Sequence, residues 1–167
     1  MALGKDYSGQ NCSLARALEI VGERWTLLIL RDVFFGVRRF SDFQIHLDVP
    51  RAVLSARLAA LVRDGVLSKE GQEYAVTPMG RGLWPVIHLL SRWGADNFSD
   101  AGPCRLFFHA ACAARIDSEG ACTACGAHPA VEDWEIRPGP GMDAEWRDDP
   151  ITRALSEPHR LLDPVRP

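Results

Sequence analysis

FSDFQIHLDVPRAVLSARLAALVRDGVLSKEGQEYAV, residues 40–76, is the stretch that decides the fold. Ser41 followed by Gln44 fits a capping box, in which hydroxyl and amide each satisfy an orphan backbone donor, so a short helix should run to about Leu47. Asp48-Val49-Pro50 then looks like a second start, with a carboxylate to cap and a proline in the first turn, where its missing donor costs nothing. This helix should span about Val49 to Asp64 with Leu54, Leu58 and Leu61 as its buried stripe, and Gly65 should close it. Two short strands follow, Val66 to Lys69 and Tyr74 to Val76, joined by Glu70-Gly71-Gln72-Glu73. Two short helices joined by a tight turn and followed at once by a hairpin form a winged helix-turn-helix, an architecture that reads base edges with its second helix.

Upstream, Leu14, Ala17, Leu18 and Val21 predict a first helix over Ser13–Val21, and Trp25 with Leu27 to Leu30 predicts a core helix over Glu23–Phe35 that Gly36 ends. Downstream, Thr77-Pro78 should open a long helix to about Asn97, kinked at Pro85, with Leu83, Val86, Ile87, Leu90 and Trp93 on its apolar face. The expected fold class is mainly α, an α+β winged helix-turn-helix over residues 1–100. A zinc-ribbon-like segment should follow over 101–137, and a loosely structured Pro-rich, acidic tail over 138–167.

Charge patterning agrees with a nucleic-acid reader. The 167 residues carry a formal charge of -3, yet six arginines face three aspartates between Arg31 and Arg63, making that segment +3. Arg51, Ala52 and Ser55 lie on the outer face of the second helix, with Arg57 towards its flank, and Arg51 is the leading candidate for a base edge. Arg38, Arg39 and the amides around Ser41 at the start of the preceding helix are candidates for phosphate, since helix starts carry free donors and partial positive charge. Lys69 is the basic residue that the hairpin offers.

With 47% hydrophobic and 25% charged residues, the chain has the composition of a folded globular protein, with no bilayer-length apolar run and no secretory leader at Met1 to Gln10. A cytoplasmic location is expected. Its five cysteines are an odd number, which favours metal binding or redox chemistry over disulfides. His109-Ala110-Ala111-Cys112 and Cys122-Thr123-Ala124-Cys125 are two ligand pairs at knuckle spacing, which suits a structural zinc ion; Cys104 or His128 could replace a ligand. Gly-rich phosphate loops, nucleophile elbows and zinc-protease helices are missing, so no enzyme is expected.

The chain resembles the HxlR family of bacterial winged-helix regulators, relatives of the broader MarR group, across about Cys12 to Gly94. The resemblance rests on Cys12, Gly22-Glu23-Arg24-Trp25 through Arg31, Gly36 with Arg38-Arg39-Phe40, Val53 to Leu58, Asp64-Gly65, Tyr74 to Pro78 with Gly80, and Trp93-Gly94. It implies a homodimer paired through the first and last helices of the domain, binding double-stranded DNA at a palindromic operator and usually repressing. Trp84, Leu90 and Trp93 are the interface candidates, with the intramolecular core as their other destination. Related regulators hold a small-molecule effector between the dimer helices and the reading head, so one is an expected partner. The pattern departs in two places: Ser13 stands where proline is usual, and the short hairpin carries Glu70 and Glu73, which shifts recognition towards the helix.

Similar proteins sense oxidants or electrophiles through a cysteine at the position of Cys12, where a helix start can stabilise thiolate; the other reading is a small buried interface residue. Periodicity also leaves open a protein-interaction adaptor that uses the same surfaces without DNA. If Cys12 is a sensor, a Cys12→Ser variant keeps its DNA under peroxide while the unmodified protein releases it; equal release from both, in a gel-shift titration, excludes that role.

Overall fold

A computed structural model describes residues 6–143 and 147–166. The first helix, α1, is Ser13–Val21, and α2, Thr26–Phe34, carries the dense apolar run of the sequence, with Ile29, Leu30 and Phe34 fully buried. The reading head follows as α3, Phe40–Leu47, and α4, Arg51–Arg63, with Leu54, Leu58 and Leu61 buried as their spacing requires. The hairpin strands β1, Leu67–Glu70, and β2, Glu73–Val76, pair antiparallel with Leu67 opposite Val76 and Glu70 opposite Glu73. A left-handed Gly71, φ 58°, sits in the tight turn between them.

The long helix expected from Thr77 is two helices. Thr77 caps α5, Pro78–Arg81, by accepting from the Gly80 amide at 3.1 Å. The chain breaks at Gly82-Leu83, and α6, Trp84–Phe98, restarts with Pro85 in its first turn. The proline therefore starts a helix instead of kinking one, because the first turn needs no donor from it.

Beyond residue 100 the chain builds a four-stranded antiparallel sheet in the order β4-β3-β5-β6. These strands are β3, Arg105–His109; β4, Ala114–Arg115; β5, Trp134–Pro138; and β6, His159–Arg160. Phe107 lies opposite Ile136, and Ile136 opposite His159.

The acidic tail is ordered in these residues, contrary to its composition. It carries α7, Pro150–Ala154, whose cap Asp149 accepts from the Ile151 and Thr152 amides, both at 2.9 Å. Ile151, Leu155 and Leu161 are buried in the same core as α2 and α4, so part of the acidity caps a helix that holds apolar residues in place. The tail also donates to the end of α2: the Leu162 amide bonds the Phe34 carbonyl at 2.8 Å, and the Val165 amide bonds the Gly36 carbonyl at 3.0 Å. At Gly36, φ +91°, an added Cβ would lie 1.8 Å from the Asp163 carbonyl oxygen, so the residue that ends α2 also admits the tail.

Trp84 joins the two halves. Its ring meets Phe34 of α2 at 5.1 Å, Phe107 of β3 at 5.5 Å and Trp134 of β5 at 5.4 Å between centroids. The interface candidate Trp84 is thus core, at 3% exposure. His88, one turn on, packs edge-on against Phe107 and Trp134, and burial in this cage pushes its pKa below the ordinary histidine value.

Leu155→Ala removes a fully buried side chain and is expected to lower unfolding free energy by about 2–4 kcal/mol. Urea unfolding followed by tryptophan fluorescence measures it; a loss within about 0.5 kcal/mol, as at a surface site, would contradict an integral tail.

Candidate nucleic-acid interface and metal cluster

The turn between α3 and α4 is built differently from its expected caps. Asp48 adopts φ 52° and closes α3, its amide donating to the Gln44 carbonyl at 3.0 Å. The α4 N-cap is Pro50. The left-handed backbone at Asp48 reverses the chain, and its carboxylate pairs with Arg147 of the tail at 3.3 Å instead of capping α4. Nor does the Ser41–Gln44 box form: α3 begins at Phe40, and the Ser41 hydroxyl donates to Asp42 at 3.0 Å.

On α4 the buried leucine stripe leaves Arg51, Ala52, Ser55 and Ala56 exposed on the outer face. The Arg51 guanidinium lies 5.0 Å from the Phe40 ring centroid, a cation–π contact that keeps it beside the start of α3. Arg57 is half-buried and 3.6 Å from Glu23. Lys69 is exposed, its ammonium 5.3 Å from the Tyr74 ring.

The two phosphate candidates before α3 are already engaged. A single isolated bridge adds Arg39 to the hairpin opposite Glu73, and the Tyr74 amide donates to the Arg38 carbonyl at 2.8 Å. This places Glu73 between them, 3.9 Å from Arg38 and 3.7 Å from Arg39. Arg38 also donates to the Leu162 carbonyl of the tail at 3.0 Å. Sequence reasoning marked Glu73 as an acidic wing residue, but its two partners follow only from the strand register.

α7 braces α3 from the other side. His46 Nδ1 stands 3.5 Å from Asp149 and 3.3 Å from the Thr152 hydroxyl, and its Nε2 stands 3.8 Å from the buried Asp32, which Arg31 pairs at 2.6 Å. Burial works against the Asp149 carboxylate, but hydrogen bonds from Thr152 and the nearby His46 outweigh it and hold its pKa below the usual value.

His109, Cys112, Cys122 and Cys125 converge, with their ligand atoms all within 4.8 Å of one another, as a cluster that could hold a metal ion. The two turns repeat one another. The Ala113 amide donates to the His109 carbonyl at 2.8 Å with φ 51° at Ala113, and the Gly126 amide donates to the Cys122 carbonyl at 2.8 Å with φ +71° at Gly126. Amides of Cys125 and Ala124 donate to the Cys122 sulfur and bring its pKa down to about 6. Cys112, hydrogen-bonded to Cys125, is pushed up to about 11. Of the alternates, Cys104 lies outside the cluster, donating to the Gly141 carbonyl at 3.2 Å, and His128 is not part of it.

Cys12 is exposed at the N-cap of α1 and makes no side-chain cap bond. Leu14, Leu18 and Ile20 of α1 are exposed, as are Leu89, Leu90 and Trp93 of α6.

The model of the HxlR-like helix-turn-helix family matches residues 20–101, the span from the end of α1 through α6. An HTH-type transcriptional regulator of Mycobacterium tuberculosis is 41% identical over 141 residues, covering 80% of this chain and 89% of that protein. The chain belongs to the HxlR-like helix-turn-helix family. Its relatives are transcriptional regulators, among them one from Bacillus subtilis that is 33% identical over 109 residues, covering 59% of this chain and 84% of that protein. The mycobacterial match covers more than residues 1–100 can supply, so it runs into the C-terminal sheet. Among solved structures, the candidate transcription factor PA1607 superposes with a TM-score of 0.50 at 40% identity over 53% of this chain, which spans 66% of that chain. The family is one of DNA-binding regulators, not enzymes, and no helix among the described residues is long and apolar enough to cross a membrane.

Glu73→Gln should release Arg38 and Arg39 from their shared carboxylate. Two exposed pairs of this kind are worth at most about 1 kcal/mol together, so DNA binding should tighten about two- to five-fold. Fluorescence anisotropy checks it; unchanged or weaker binding would show that the carboxylate does not compete with phosphate.

Proposed function

We propose that this chain is a cytoplasmic homodimeric repressor that reads a palindromic operator with α4. The observation that carries this reading is the outward face of α4: Arg51, Ala52 and Ser55 are exposed and backed by three buried leucines, so a stiff helix presents them to the major groove. Arg39 and the α3 N-terminus supply phosphate contacts, Arg38 and Arg57 add charge at the flanks, and the acidic wing contributes little beyond Lys69. The exposed apolar residues of α1 and α6 support pairing of two copies, since a lone chain gains nothing by presenting Leu14, Leu90 and Trp93 to water. Genomic fragments selected on the protein should share an inverted repeat. Arg51→Ala should weaken binding to them by about 1–3 kcal/mol and relax preference at one position, whereas Arg39→Ala should weaken all sequences alike. Absence of binding at any modest salt concentration would favour the adaptor reading.

The His-Cys-Cys-Cys cluster is proposed to hold one structural zinc ion. Three sulfurs and one imidazole nitrogen suit zinc, and four protein ligands leave no position for a catalytic water. The paired knuckle turns and the amides directed at Cys122 favour a metal-bound thiolate over free thiols. Protein purified without added zinc should contain about one equivalent per chain by elemental analysis, lost on replacing Cys122 and Cys125 with serine; under about half an equivalent would refute the site.

A further inference from the structure

The C-terminal sheet has one face in the shared core and an opposite face that is basic. Side chains alternate along each strand, so the strands that bury Phe107, Trp134 and Ile136 turn Leu106, Phe108, Glu135 and Arg137 to the other side. The register adds Arg115 of β4, opposite Phe108, and Arg160 of β6, opposite Glu135. Arg115 and Arg160 are exposed, and Arg137 is half-buried. Residues 101–167 carry seven arginines against eleven acidic residues, yet among the described residues the paired positions of this face gather three of those arginines with one carboxylate, Glu135.

Phe108 holds two of the three together. The Arg137 guanidinium carbon lies 4.1 Å from its ring centroid and that of Arg115 5.3 Å, one reaching in from each neighbouring strand. These cation–π contacts offset the repulsion of two like charges and restrain both side chains, which lowers the entropy they lose on binding. The ion pairs already present lie at the surface, where phosphate can replace them: Glu135 accepts from Arg137 at 2.6 Å and Asp133 from Arg160 at 2.9 Å. Arg115 pairs with no carboxylate among the described residues. From Arg115 to Arg160 the row crosses four strands, a backbone span of about 14 Å. Two residues after Arg160 comes Leu162, whose carbonyl accepts from Arg38 at 3.0 Å, so the basic row leads on to the arginines before α3. A row of guanidiniums suits a polymer of phosphates better than a lone anion, and a ring flanked by guanidiniums leaves no free face for an unstacked base.

We propose that this sheet face is a second DNA surface, on which Arg115, Arg137 and Arg160 bind the phosphates of double-stranded DNA without reading its sequence. This contact rests on the DNA-binding reading above and lies outside the helix-turn-helix. The full chain is titrated by fluorescence anisotropy with a duplex of about 40 base pairs and arbitrary sequence, at about 50 to 200 mM salt. The variant Arg115→Gln, Arg137→Gln, Arg160→Gln should bind at least about ten-fold more weakly at the lower salt, and its plot of log K against log salt should flatten by about two to three in slope. The corresponding triple lysine variant, which keeps the charge, should keep most of the slope. Glu135→Gln, which frees Arg137, should tighten binding about two-fold, a gain that a misfolded sheet cannot produce. The same loss should follow the glutamine substitutions when Arg51 is already alanine, because the two surfaces are separate. An unchanged slope in the glutamine variant while the unmodified chain binds DNA, or an equal loss in the lysine variant, overturns this proposal and leaves the reading head standing. Poly-L-glutamate that displaces the duplex from Arg51→Ala as well as competing duplex does also overturns it, by showing a face for acidic polypeptide. No duplex binding by the unmodified chain at the lowest salt overturns both readings.

Discussion

Trp84 is the contact on which the rest of the molecule depends. Its indole touches Phe34 from the helix beneath the reading head and Phe107 and Trp134 from two strands of the C-terminal sheet. Aromatic pairs at these separations add about 1 kcal/mol each to the area they bury, and here one residue makes three of them, two across the boundary between the halves. The sheet is too small to hold a core alone, and the winged helix would otherwise expose α2 and the first turn of α6. Each half supplies what the other lacks, so the polar features at the surface sit on one shared core.

That common core changes the meaning of the tail. Arg38 is held by the Leu162 carbonyl, His46 by Asp149 and Thr152, and Asp48 by Arg147. The helix-turn-helix is thus fastened from behind by residues about a hundred or more positions later in the chain.

The winged helix was legible because its signals are periodic and local. Leu54, Leu58 and Leu61 mark the inner face of α4, and Thr77-Pro78 marks a helix start. The ligand pairs were legible for the same reason, since knuckle spacing is a property of a few adjacent residues. Details that depend on distant partners were not. Asp48 looks like a cap but closes the previous helix, because the chain must reverse there and a short polar side chain tolerates the left-handed region. Pro85 resembles a kink because nothing local reveals that Gly82-Leu83 has already ended α5. The tail misled most: Ile151, Leu155 and Leu161 are too sparse to show a period, and the prolines and acids around them look like disorder when one of them, Asp149, is a cap.

Gly36 and the tail residues that pass beside it also set a timetable for folding. The carbonyls of Phe34 and Gly36 find their partners in the amides of Leu162 and Val165, which are synthesised more than a hundred residues after them. Until then the helix-turn-helix exposes the apolar bed that Leu155 and Leu161 will fill. A nascent or clipped chain therefore shows a greasy, underbonded surface beside its reading head, which is the kind of surface that chaperones and proteases recognise. Burial of that bed thus waits on one late docking event.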